Sequence, residues 1–255
     1  MGAVARRVLP GLVSFAAIAA AWEAAVAVGL LNPFFTSRPS AIAASLLSQA
    51  RSGVLLENSA VSLLEFGIGF GAAAVVGIVL GVVAGWSRRV EHALDPFLWF
   101  LYSAPLIAFY PVFVIWFGLG ARTVVAIAFL LAAPPIMAST LSGVKRADQQ
   151  LIRAARSFGA GGLEVFAKVA LPASVPMVIA GLRLGVGRAL TGVVIAELFG
   201  ATAGLGFSIG YYGQLLQTTN MMASLVVIVA LGVLFTEALG AIESRVDAWR
   251  TGPGH

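Results

Sequence analysis

The sequence predicts an all-α membrane protein of six transmembrane helices with both termini in the cytoplasm. Of its 255 residues, 60% are hydrophobic and 11% charged, and the mean hydropathy is +0.97. A soluble domain of this size cannot hide that much apolar surface, because its outside must stay largely polar. Six apolar runs reach the length of about 20 residues that a hydrocarbon core requires. Basic residues gather on alternate loops between them. Too little polar sequence remains for a soluble domain, so residues 1–255 read as a single membrane domain.

The runs cover about 10–31, 60–86, 96–117, 122–142, 174–199 and 222–242. Arg6-Arg7 ahead of the first resembles the start of a signal peptide. However, Val8 to Leu31 is longer than the about 7–15 residues of a signal core, so it reads as a retained first helix, with a cleaved signal as the lesser alternative. Pro105 and Pro111 in the third span, and Pro134-Pro135 in the fourth, predict kinks whose freed carbonyls face protein or water. One set of loops holds Arg6, Arg7, Arg88, Arg89, Lys145, Arg146, Arg153, Arg156, Lys168, Arg245 and Arg250; the opposite set holds Arg38, Arg51 and Arg122. That excess places the first set, with both termini, in the cytoplasm. Residues 39–58 read as a short amphipathic helix on the outer face. The outer loop 200–220 is Gly-rich and uncharged, with Tyr211 and Tyr212.

Several chemistries are excluded. The net charge of +5 and pI near 10.2 come from loops flanking apolar runs, so membrane topology explains them and nucleic acid is not a partner. With no cysteine there are no disulfides, thiolate sites or Cys nucleophile. His92 and His255 lack metal-ligand spacing, so no metal site and no catalytic residue are expected. A P-loop needs GxxxxGK[ST], whereas the only lysines, Lys145 and Lys168, sit in VKR and AKV.

The cytoplasmic segment 143–173 is the most informative. Leu151, Ile152, Ala155, Phe158 and Gly159 fall near helical spacing, Gly159 to Gly162 interrupt the helix, and a second helix from Leu163 to Ala170 is expected to end at Leu171-Pro172. On pattern alone this fits an interfacial helix lying on lipid. Residues 153–172, RAARSFGAGGLEVFAKVALP, also resemble the EAA loop of binding-protein-dependent ABC importer permeases, which reads E-A-A, three residues, G, nine residues, I-x-L-P. Ala154, Ala155, Gly159 and Leu171-Pro172 match it, Val169 stands for the Ile, and the spacing is kept; Arg153 replaces the acid. Trp22-Glu23, NPFF...PS, AARSFGA, LPASVPMVIAGLRLGVGRALTGVVIAEL and GLG at 204–206 resemble the nitrate/sulfonate/taurine branch, so the likeness covers most of the chain.

The resemblance implies a type I ABC importer permease fold in a bacterial-type inner membrane. It implies a pore of two copies, two ATPase subunits below and an extracytoplasmic solute-binding protein above. Arg153, Ala154, Ala155, Phe158, Gly159, Leu171 and Pro172 would seat a coupling helix on the ATPase. This chain would carry no cofactor, with ATP and Mg in the ATPase, and would move a small organic or inorganic anion. Independently of the family, small residues at 154, 155 and 159 permit close helix approach, and Gly159 permits a sharp turn.

Charged residues inside spans are costly, about 2.5–3.5 kcal/mol each at the bilayer centre on insertion scales. They are Glu23, Glu65, Arg183, Arg188, Glu197 and Glu237. At about 1.5 Å per residue, Arg188 and Glu23 lie near the midplane, Arg183 and Glu237 in the cytoplasmic half, and Glu65 and Glu197 toward the outside. Arg188 and Glu197 fall on opposite faces of one helix. Arg188 is therefore either paired with an acid such as Glu23 or lines a wet path. A self-powered transporter would show inverted repeats with paired broken helices, a membrane enzyme would show clustered His or carboxylates, and neither pattern is visible. A non-transporting scaffold is the remaining alternative.

Overall fold

The computed structural model describes residues 2–251, with side chains at 10, 11 and 13–244; the side chains of Arg6, Arg7, Arg245 and Arg250, and all of His255, lie outside it. Among the described residues the regular structure is all helical. Four helices are long and apolar enough to cross a membrane: α4 (Val54–Trp86), α7 (Ala121–Lys145), α10 (Leu171–Gly200, continuous with Gly162) and α12 (Thr218–Thr251).

Two expected spans depart from simple rods. The third becomes α5 (Arg88–Ser103), a 3-10 turn (Leu106–Phe109) and α6 (Tyr110–Phe117), with an 87° bend between the halves. The break falls at Ala104-Pro105, where proline has no N–H to continue the ladder and forces its predecessor out of the helical region; Ala104 has ψ 134°. Pro111 only opens α6. The first expected span is α1 (Gly2–Ala27), which ends before Leu31 because Gly29 turns the chain at φ +79°. Among the described residues its apolar stretch is Val13–Ala27. By contrast, α7 runs unbroken through Pro134-Pro135, both buried.

α7 is the axis of the bundle, packed along α4 on one side and α10 on the other. The sequence allows this through small residues at every fourth position. On α4 these are Gly69, Ala73, Gly77, Gly81 and Gly85, and a Cβ added at Gly81 would meet the Met137 carbonyl and Thr140 Cβ at 2.7 Å. Gly181, Gly185, Ala189 and Gly192 do the same on α10, and Gly143 of α7 fits against Ser174 and Met177. Backbones thus approach closely enough for dispersion to hold helices that lipid does not drive together. The core fills the remaining space with Phe66, Val124, Ile127, Ile136, Val186 and Val193.

The expected helix over 39–58 is two elements. α3 (Pro39–Arg51) ends at Gly53, φ +82°, and residues from Val54 already belong to α4. Its Ser45 and Gln49 are buried against Asn220, while Ser37 bonds Thr219 at 2.8 Å and Thr218 bonds the Phe34 carbonyl. α2 (Pro33–Thr36) and α3 are therefore pinned to the start of α12. The segment 200–220, expected as a loop, holds a folded helix, α11 (Leu205–Gln214), packed on α10 and α12 with Leu205 fully buried.

Close packing on α4 gives a direct test. Gly81→Ala should lower stability by about 1–3 kcal/mol through overpacking, read as a fall in thermal midpoint in detergent. Gly71→Ala, where an added Cβ meets nothing within 4 Å, should stay within about 0.5 kcal/mol.

Candidate functional site

Between α7 and α10 the chain leaves the bundle as a protrusion. α8 (Gln149–Ser157) starts on Asp148, whose side chain accepts from the Gln150 N–H at 2.7 Å. It stops in a Schellman turn: Gly159 donates to the Arg156 carbonyl at 3.0 Å and Ala160 to the Ala155 carbonyl at 3.1 Å. Gly159 sits at φ +87°, which a side chain disfavours. The turn aims Phe158, 92% exposed, and Leu163, 84% exposed, away from the protein. Arg153 and Ala154 are exposed beside them and Ala155 is half-buried. The predicted small-residue face is open, and two large apolar side chains rather than one stand at its tip.

Leu171 and Pro172 do not end a helix. α9 (Gly162–Val165) passes through a π turn (Phe166–Ala170) straight into α10. The Leu171 N–H reaches back five residues to the Phe166 carbonyl, and this wider turn makes room for a proline that lacks an N–H and would crowd the carbonyl four residues back. The root of the protrusion is anchored: Val144, Ala147 and Ala170 form a small buried cluster against Ile152 and Phe166, and the Phe166 ring lies 5.0 Å from Trp86. Lys145 reaches Glu91 at 2.5 Å, and its hydrogen bond to the carboxylate holds Glu91 below the usual acid range.

At the opposite end, toward which the sequence placed both acids, Glu65 and Glu197 are buried near each other. Glu197 is fully buried and accepts from Ser62 Oγ and from the Gly206 N–H, each at 2.6 Å. Ser62 also takes the Leu205 N–H at 2.8 Å, and Asn58 takes the Gly204 N–H at 2.7 Å. The free N–H groups opening α11 are thus satisfied by side chains of α4 and α10, with a carboxylate at the positive end of the helix. Glu65, one turn on from Ser62 along α4, is also buried, and its Oε2 has no hydrogen-bond partner among the described residues. Asn58 and Ser62 were not singled out from the sequence; GLG at 204–206 was noted only for the resemblance, and its spacing from Glu197 was the available signal.

The other charged candidates separate. Glu23 accepts from the Ser40 backbone N–H at 3.0 Å and Ser40 Oγ at 2.8 Å, capping α3 rather than meeting Arg188. Arg183 pairs with Glu243 at 2.9 Å, not with Glu237, which is exposed. Arg188 has no ion pair or hydrogen bond among the described residues. It lines a cavity of about 80 Å³ with Leu101, Tyr102, Ala104, Leu131 and Pro135 at the break of the bent pair. No cluster of three or more metal-ligating side chains occurs among the described residues.

Glu197→Ala would strand the Gly206 N–H and the Ser62 hydroxyl in the interior, at a cost of about 1–3 kcal/mol per group. Glu65→Gln leaves both of those donors satisfied and should keep the thermal midpoint near that of the parent. Equal losses for the two variants would refute the capping role of Glu197.

Comparison with known proteins agrees with this arrangement. The family model described as binding-protein-dependent transport system inner membrane component matches residues 77–247. The taurine transport system permease protein TauC of Escherichia coli is 32% identical over 96% of this chain and 91% of its own length. The putative aliphatic sulfonates transport permease protein SsuC of Bacillus subtilis is 30% identical over 95% and 88%. Among solved structures, an inward-facing MetNI methionine ABC transporter aligns with TM-score 0.66 at 22% identity, covering 78% of this chain and 98% of that one. An amino acid ABC transporter with histidines aligns at 0.61, covering 78% and 95%. The fold is that of a type I ABC importer permease, and the chain belongs to the family of binding-protein-dependent transport system inner membrane components.

Proposed function

We propose that this chain is the pore subunit of an ATP-driven importer, working as two copies with two ATPase subunits and an extracytoplasmic solute-binding protein. Six crossings, counting α1 and the bent pair, would put both termini and the protrusion on one side, and the basic loops favour the cytoplasm for it. ATP and Mg belong to the ATPase; this chain contributes no nucleotide site and no cofactor. The solute is a small organic or inorganic anion, in keeping with relatives named for taurine and aliphatic sulfonates.

The observation that carries this reading is the tip of the protrusion. Phe158 and Leu163 are almost wholly exposed on a turn that is otherwise stiffly built, capped at Asp148 and closed at Gly159. Such side chains are uncommon on a free surface and typical of the anchors that fill a partner's cleft. Arg153 stands where the family motif has an acid, so docking here rests on apolar anchors and on Ala154, Ala155 and Gly159. Leu171 and Pro172 set the register of the tip through the π turn and need not touch the ATPase.

Gly159→Trp should leave membrane insertion intact and abolish co-purification of the ATPase, since it fills the turn between the two anchors. Retention of the ATPase with normal uptake would overturn the docking role. Topology is tested separately in this cysteine-free chain. Single cysteines at Ser52 and Gln214 should react with a membrane-impermeant thiol reagent in intact cells, those at Arg89 and Ser157 only after permeabilisation. Reaction of Ser157→Cys from outside would invert the assignment.

A further inference from the structure

α10 is occupied on most of its circumference by α7, α12, α11 and α4. The face left over carries Leu184, Gly187, Arg188, Thr191 and Leu198, all exposed and spaced by three, four or seven residues. Arg188 lies 17 residues from Leu171 and 12 from Gly200, about 26 Å and 18 Å along the axis, so it sits deep in the membrane. A lipid-facing helix would not place a charge there. The one acid expected at the same depth, Glu23, is engaged with Ser40.

The surroundings of Arg188 are specific. Pro105, Pro134 and Pro135 have no N–H to give, so the carbonyls of Leu101, Leu130 and Leu131 lose their ordinary partners four residues on. Two of these three residues line the cavity that Arg188 enters. A guanidinium has five N–H donors. None of them is taken by a described residue, and the neutral carbonyls nearby leave the charge uncancelled and the planar fork free. That fork matches the paired oxygens of a carboxylate, sulfonate or phosphate.

We propose that Arg188, seated in the cavity at the Ala104-Pro105 break, is the residue that contacts the solute's oxyanion headgroup inside the translocation path. This rests on the reading of the chain as a pore subunit, with the open face of α10 turned toward the path. The bent pair supplies the cavity and the prolines supply the carbonyls. Arg188 is the specificity element, favouring anions over cations of equal size.

The test uses the natural absence of cysteine. Thr191→Cys, one turn from Arg188 on the same face, is placed in the chain assembled with its ATPase in liposomes. Its reaction rates with anionic sulfonatoethyl methanethiosulfonate and cationic trimethylammonioethyl methanethiosulfonate are compared, using Ser52→Cys as the outer reference. The anion-to-cation rate ratio at Thr191→Cys should exceed that at Ser52→Cys by about tenfold, as expected for a charge acting at short range in a partly dry site. Arg188→Lys should keep the excess and Arg188→Gln should remove it. Should Arg188→Gln fail to assemble, the comparison with Ser52→Cys decides alone. Reaction with both reagents at the reference ratio, with Arg188 present, overturns the anion contact and leaves the pore reading standing. No reaction with either reagent means the face is dry, and removes both.

Discussion

Everything in this molecule depends on how closely α4 and α10 approach α7. Lipid tails are as apolar as leucine, so no hydrophobic gain pulls helices together inside a bilayer, and contact must come from packing itself. Glycine and alanine at 69, 73, 77, 81 and 85, answered by 181, 185, 189 and 192, bring backbone against backbone. Because α7 is gripped on both sides, it stays a single helix through two prolines. The bent pair α5–α6 passes Pro96 inside α5 but breaks at Pro105. The same residue type therefore has opposite consequences according to what surrounds it.

Two polar constructions hang on that frame, one at each end. At one end, Asn58, Ser62 and Glu197 hold the first N–H groups of α11, so a Gly-rich connection becomes an ordered helix. At the other, a small apolar cluster and the Glu91–Lys145 pair fix the base of the protrusion while its tip stays bare. Between them lies the arginine of α10. On the proposed reading, the arrangement separates three tasks along one axis: closing the outer end, contacting what passes, and receiving a push from below.

Much of this was legible in the residues. Hydropathy located the four long apolar helices and the bent pair, and spacing located the turn at Gly159 and its alanines. Depth along the helices placed Glu65 and Glu197 toward the same end without pairing them. What was not legible depended on neighbours distant in sequence. Arg183 chose Glu243 over Glu237, and Glu23 chose Ser40, because contact between helices is decided by azimuth as well as depth. α11 was read as a loop because glycine argues against helix locally; its caps come from residues about 9 and 143 positions away. Leu171-Pro172 was read as a helix end because a proline ordinarily breaks the ladder, and nothing local announces that a π turn will absorb it.

That turn has a consequence for how such proteins can be recombined. From Gly162 to Gly200 the chain is one continuous 39-residue helical body, so residue count, together with the cluster at its base, gears the tip to the membrane segment. Each residue inserted or deleted between Gly162 and Pro172 swings the tip by about 100° around the axis and shifts it by about 1.5 Å. A protrusion borrowed from another permease would therefore face the wrong way unless the donor carried a widened turn of the same length. Homologous protrusions are interchangeable parts only when their threads match.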